Sequence, residues 1–118
     1  MIPAVVKNLL IVDDNPSMRR LIASVVADLT VSIHECDDGA KAMAAYEAYL
    51  PEWILMDVEM KEMDGLTATQ AITTAHPEAK VLIVTKYGTQ RLREKAQAVG
   101  ACGYILKEDL LAIRAFIH

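Results

Sequence analysis

Little in this chain is suited to holding metal through sulfur or imidazole. Its 118 residues include two cysteines, Cys36 and Cys102, with no CxxC pair, and only three histidines. Zinc-ligand spacing is therefore missing. No disulfide framework is required either, because a chain of this length buries roughly two-thirds of its unfolded surface. Both cysteines are expected to be small buried or half-buried residues in a reducing compartment. A basic excess is also lacking: twelve Lys and Arg against sixteen Asp and Glu leave a formal net charge of −4. That balance argues against a free-standing nucleic-acid binder. Arg19-Arg20 and the group Arg91, Arg93, Lys95 read as solvated helix faces. His34 and His76 have no ligand partner in sequence. No apolar run approaches the ~18 residues needed to cross a bilayer, and Met1-Ile2-Pro3 lacks a basic leader with a long apolar core. The expected location is cytoplasmic, with no membrane partner. Aromatics are 5% of the chain and hydrophobic residues 53%, a mix that favours helices laid over aliphatic strands.

Strand-like and helix-like stretches alternate along the whole chain. Leu9 to Val12 is a short continuous apolar run, as in a strand buried on both faces. Asn15 offers an N-cap and Pro16 a first helical position for a helix over Ser17 to Leu29. Val31 to Cys36 is a second strand, less apolar and so expected nearer an edge. Asp37-Asp38-Gly39 reads as a turn and cap before an Ala-rich helix from Ala40 to Leu50, stopped by Pro51. Glu52 to Met56 is the third strand. Asp64 caps a helix from about Gly65 to Ala75, closed by His76-Pro77. Lys80 to Val84, a helix from Thr89 to Val99 ended by Gly100, and Gly103 to Leu106 follow. A final amphipathic helix is expected over Asp109 to Ile117. This alternation implies right-handed βαβ crossovers and a parallel sheet. The expectation is one domain, 1–118, with no output domain in this chain.

Chemistry gathers just after the apolar runs. Asp13-Asp14 follow the first, Asp57 the third, Thr85 the fourth and Lys107 the fifth. In a parallel sheet all of them share one edge, where open α/β sheets build their sites, and order 2-1-3-4-5 makes the first and third strands neighbours. Crowded carboxylates repel and raise one another's pKa. A divalent cation relieves that repulsion, and oxygen-only ligation suits Mg²⁺ better than zinc. The plainer reading is that Asp13-Asp14 only caps the helix beginning at Pro16; it leaves Asp57 unexplained. A hydroxyl from Thr85 and an ammonium from Lys107, across from a metal, are what a phosphoryl group needs around its oxygens. Met18, Met43 and Met56 read as core filler.

With these residues in place, the chain resembles a receiver domain of two-component response regulators over its whole length. The segments that carry the likeness are Ile11-Val12-Asp13-Asp14-Asn15, Leu55 to Met60 through Met63-Asp64-Gly65, Val84-Thr85, and Gly100 to Lys107. The resemblance implies a flavodoxin-like (βα)5 three-layer sandwich. It implies that Asp57 is the phosphoacceptor, taking a phosphoryl group from a sensor histidine kinase or phosphotransfer protein. Mg²⁺ would be held by Asp13, Asp14, Asp57 and the main-chain carbonyl of Glu59. Thr85 would donate to a phosphoryl oxygen, Lys107 would pair with the carboxylate or phosphoryl group, and Tyr104 would be the aromatic switch that turns inward with Thr85; on residues alone Tyr104 also fits a static strand aromatic. Output would pass to a downstream protein or a covalently linked output domain, and a homodimer through the fourth and fifth helices is compatible with the family. The domain would be a phosphoacceptor switch and not a turnover enzyme.

Three residues depart from the family pattern. Lys61 stands where proline usually follows Met60, which removes a fixed φ from the loop after Asp57. Glu108 stands where proline commonly follows the lysine, so the Lys107–Glu108 bond is open to either isomer. Lys86 replaces a small residue after Thr85, where it would cover the site, add positive potential or pair with Glu59. Glu59, Lys86 and Tyr87 are expected to set acyl-phosphate lifetime, since they flank the path of attacking water. Two rivals remain open at this stage. One is an aspartate-nucleophile phosphatase, disfavoured by Glu59 in place of a second Asp and by the lack of a cap domain. The other is a receiver-shaped interaction module that is never phosphorylated.

Overall fold

The computed structural model describes residues 6–117; the leader reading at Met1-Ile2-Pro3 and the last residue, His118, lie outside them. Five parallel strands form one sheet in the order β2-β1-β3-β4-β5. They are β1 (Val6–Val12), β2 (Thr30–Cys36), β3 (Trp53–Met56), β4 (Val81–Thr85) and β5 (Gly103–Leu106). The three central strands carry continuous apolar runs, Leu9 to Val12, Trp53 to Met56 and Val81 to Val84, because helices cover both faces. β2 lies at an edge, as its weaker hydrophobicity anticipated, and its Val31 is exposed.

The period of two along each strand divides the core. Leu9, Ile11, Leu55, Leu82 and Val84 point to one face, where Ile22 and Val26 of α1 (Pro16–Val26) and Leu110, Ile113 and Ile117 from the C-terminal segment meet them. Leu10, Val12, Ile54, Met56 and Ile83 point to the other, under α2 (Ala42–Tyr49), α3 (Gly65–Ala75) and α4 (Gln90–Ala98). This is the flavodoxin-like three-layer arrangement. Met56 is fully buried, and Met18 and Met43 pack at the core margins.

The helix ends follow local chemistry. Asn15 accepts from the N–H groups of Ser17 and Met18, with Pro16 opening α1. Asp64 accepts from Thr67 N at 2.8 Å, and Thr89 from Leu92 N at 3.2 Å. α1 and α2 are shorter than expected because their ends tighten into 3-10 turns at Ala27–Leu29 and Gly39–Lys41. Gly100 sits at φ +94 just past α4, a conformation that favours glycine.

The C-terminal segment differs from the expected amphipathic helix over Asp109 to Ile117. Lys107–Ala115 is 3-10 in character, broken at Asp109 by a non-helical backbone (φ −132, ψ 55). Leu110 and Ile113, three residues apart, match a repeat of three residues per turn and bury together. Arg114 ties the segment to α1 by donating to Val25 O at 2.9 Å and pairing with Asp28. Cys36 is half-buried, as expected, and burial pushes its thiol up to about 11. Cys102 is exposed, against expectation, because it occupies the turn leading into edge strand β5. His34 stacks on Tyr49 with ring centroids 3.7 Å apart, and His76 pairs with Glu47 at 2.9 Å.

Candidate metal and phosphoryl site

β1 and β3 pair in register with Val12 opposite Met56. The residues that follow, Asp13 and Asp57, therefore leave the sheet side by side, and Asp57 N donates to Val12 O at 2.9 Å. Both are buried, whereas Asp14 is exposed. One oxygen from each of Asp13, Asp14 and Asp57 lies within 4.8 Å of the others. They line a cavity of about 340 Å³ together with Glu59, Lys86 and Lys107. Lys107 Nζ lies 2.9 Å from Asp13 Oδ2 and 3.2 Å from Asp57 Oδ1. The Lys107–Glu108 bond is trans, and the ammonium still reaches the carboxylates.

Asp13 is tethered on several sides. Its N–H donates to Cys36 O at 3.2 Å, and its Oδ1 accepts from Asn15 N at 2.9 Å. The cap on α1 belongs to Asn15, so the reading of Asp13-Asp14 as a plain helix cap does not hold. Asp13 Oδ2 is buried without a hydrogen-bond donor in good geometry and touches Lys107 only as an ion pair. Burial, then the charge of Asp13, push the Asp57 carboxyl up to about 6, against the opposing pull of Lys107. Burial opposes the Lys107 charge, yet the two carboxylates outweigh it and leave that pKa raised. An orphaned carboxylate oxygen, two more carboxylates within reach and a donor set without sulfur or imidazole fit a hard divalent cation.

Thr85 stands apart from the cavity lining. It is buried at the end of β4, and its Oγ1 accepts from Tyr87 N at 3.3 Å. Tyr104 is half-buried on β5, and its hydroxyl donates to Tyr87 O. Tyr87 is thus held through its N–H by Thr85 and through its carbonyl by Tyr104. The Arg93 guanidinium lies 4.8 Å from the Tyr104 ring centroid. Lys86 reaches the cavity, with its ammonium 5.5 Å from the Tyr87 ring, and makes no ion pair with Glu59 among the described residues.

Three supports escape a reading of the sequence. Asp38 is more than a local cap: it accepts from Ala40 N at 2.9 Å and from Glu62 N and Met63 N at 3.0 Å each. Those bonds pin the loop carrying Lys61, the residue in the usual proline position. Gly65 opens α3 so close to Asp57 that an added Cβ would lie 1.7 Å from its carbonyl oxygen. Arg19 is not a solvated helix residue. Its side chain is mostly buried, with Nη1 donating to Asp13 O at 2.7 Å and Nε to Glu35 at 2.9 Å. Only the Asp-Gly pairs at 38–39 and 64–65, common turn signals, pointed toward any of these.

The sequence model of the response regulator receiver domain matches residues 9–117. The chain is 33% identical over 101 residues to the chemotaxis protein CheY of Halobacterium salinarum, covering 86% of this chain and 84% of that one. It is 36% identical over 101 residues to a transcriptional regulatory protein, YxjL, of Bacillus subtilis, covering 83% of this chain and 46% of the other. A LuxR-family two-component response regulator from Aurantimonas superposes with a TM-score of 0.86 at 26% identity, covering 95% and 85% of the two chains.

Proposed function

The chain belongs to the response regulator receiver domain family, and on that premise we propose that Asp57 accepts a phosphoryl group in a Mg²⁺-dependent transfer. The observation that carries this reading is the meeting of Asp13, Asp14, Asp57 and Lys107 in one cavity. Asp13, Asp14, Asp57 and the Glu59 carbonyl would hold the ion, which supplies neutralising charge and orients phosphoryl oxygens when bound. A carboxylate oxygen of Asp57 attacks the phosphorus of a donor phosphohistidine. The P–N bond breaks, its electron pair stays with the imidazole, and an acyl phosphate remains on Asp57. Lys107 moves from its pairing with the carboxylates to a phosphoryl oxygen.

Phosphorylation adds nearly two negative charges and new acceptor oxygens. The Thr85 hydroxyl is drawn toward them and gives up its bond from Tyr87 N. Because Tyr87 is also held by the Tyr104 hydroxyl, that shift reaches β5 and alters its outer surface. The domain acts as a switch: its only chemistry is self-directed, phosphoryl acceptance and later hydrolysis. Residues 1–118 function as one receiver unit in the cytoplasm, and no helix among the described residues is long and apolar enough to cross a membrane. Its donor is a sensor histidine kinase or phosphotransfer protein. Its output is a downstream protein or a covalently linked output domain, with a homodimer as one form of the active state and no direct nucleic-acid contact.

Incubation with acetyl phosphate and Mg²⁺, followed by intact mass, tests the assignment. One added phosphoryl group, lost in Asp57→Ala, supports it. An unchanged mass with Mg²⁺ bound would instead favour an interaction module that is never phosphorylated.

A further inference from the structure

Arg19 lies on the first turns of α1, outside the cavity, and still reaches the residue at its centre. Its Nη1 donates to the carbonyl oxygen of Asp13 at 2.7 Å, and its Nε is anchored on Glu35 Oε1 at 2.9 Å. Glu35 is fixed in turn on β2, where it pairs with Ile11 two residues before Asp13. With Cys36 O holding the Asp13 N–H and Asn15 N holding Oδ1, Oδ2 is the one polar atom of Asp13 that has no hydrogen bond and meets only the Lys107 ammonium as an ion pair.

We propose that Arg19 is a positioning residue of the cation site, acting through the main chain of Asp13 with Glu35 as its brace. The inference rests on the cation reading above and deepens it. A guanidinium is the group for this task, because its planar fork serves two acceptors at a fixed angle while a lysine ammonium does not. The chain leaves β1 at Asp13, whose N–H still bonds Cys36 O but whose carbonyl is met by the Arg19 side chain in place of a strand. A donor on the Asp13 carbonyl keeps the turn from relaxing and keeps the Asp13 carboxylate within reach of those of Asp14 and Asp57. Supports of this kind typically govern metal affinity by about ten- to a hundredfold.

Position and charge make opposite forecasts here. Arg19 is a cation near a cation site, so its charge alone repels Mg²⁺, and removing it would tighten binding. Loss of a positioning contact weakens binding. Calorimetric titration of wild type, Arg19→Met and Arg19→Lys with MgCl₂, without any phosphodonor, separates the two. Arg19→Met is expected to raise the Mg²⁺ dissociation constant about tenfold, and unchanged or tighter binding overturns the proposal. Should Arg19→Met fail to fold, the charge-conserving Arg19→Lys decides: binding weakened toward about tenfold supports the brace, and wild-type affinity overturns it. Wild type that binds no Mg²⁺ would sink the cation reading itself, whereas wild-type binding indifferent to Arg19 sinks only the brace.

Discussion

Asp57→Asn removes a charge that the folded chain holds unfavourably. In the fold this carboxyl titrates at about 6 against an ordinary 3.8, because burial and Asp13 outweigh the pull of Lys107. The folded state therefore binds the Asp57 proton more tightly than the unfolded state does. That stabilisation is complete below pH 3.8 and is lost as pH rises through about 6. At ~1.4 kcal/mol per pH unit, the ionised side chain costs on the order of 3 kcal/mol above neutrality. Asparagine mimics the protonated carboxyl at every pH. Wild type and Asp57→Asn should be equally stable near pH 4, and the variant should lead by up to about 3 kcal/mol at pH 8. Urea unfolding with EDTA present reads this as a midpoint difference of roughly 1–2 M. Added Mg²⁺ should stabilise wild type selectively and close the gap. A difference that stays flat between pH 4.5 and 8, or that shrinks as pH rises, would refute the account of the Asp57 environment.

Lys86→Ala should change the decay rate of the phosphorylated protein, because Lys86 lines the cavity beside the expected path of water; identical rates by timed intact mass would discard that role. Asp38→Ala should speed amide exchange at Glu62 and Met63 by about tenfold, since each N–H loses its acceptor; unchanged exchange there would show that the loop holds itself. Gly65→Ala should destabilise the fold by about 1–3 kcal/mol and lower phosphoryl uptake at a temperature where it stays folded, because its methyl group collides with the Asp57 main chain. Wild-type stability and uptake would mean that α3 can retreat without moving Asp57.

The sheet was legible in the sequence because its signals are local and agree with one another. Runs such as Leu9 to Val12 and Val81 to Val84 identify strands covered on both faces, and Asn15-Pro16 and Asp64 mark helix starts on their own chemistry. The carboxylate cluster followed from topology, since a parallel sheet gathers strand ends on one edge. The C-terminal segment was less legible: Leu110, Ile113 and Ile117 satisfy three- and four-residue spacings together, so tertiary packing decided between α and 3-10 turns. The supports were hidden for another reason. Asp38 reaches loop residues 24 and 25 positions away, and the carbonyl under Arg19 is a main-chain group with no residue-type signature. Tyr87, held from both sides by Thr85 and Tyr104, was noticed only as a neighbour of the site for the same reason.

Peptide mapping after acetyl phosphate treatment, with Mg²⁺ in one sample and EDTA in the other, tests the central claim most directly. The account predicts one phosphoryl group on the peptide containing Asp57 when Mg²⁺ is present and none when it is chelated. Labelling at another residue, or labelling of Asp57 indifferent to chelation, would contradict it.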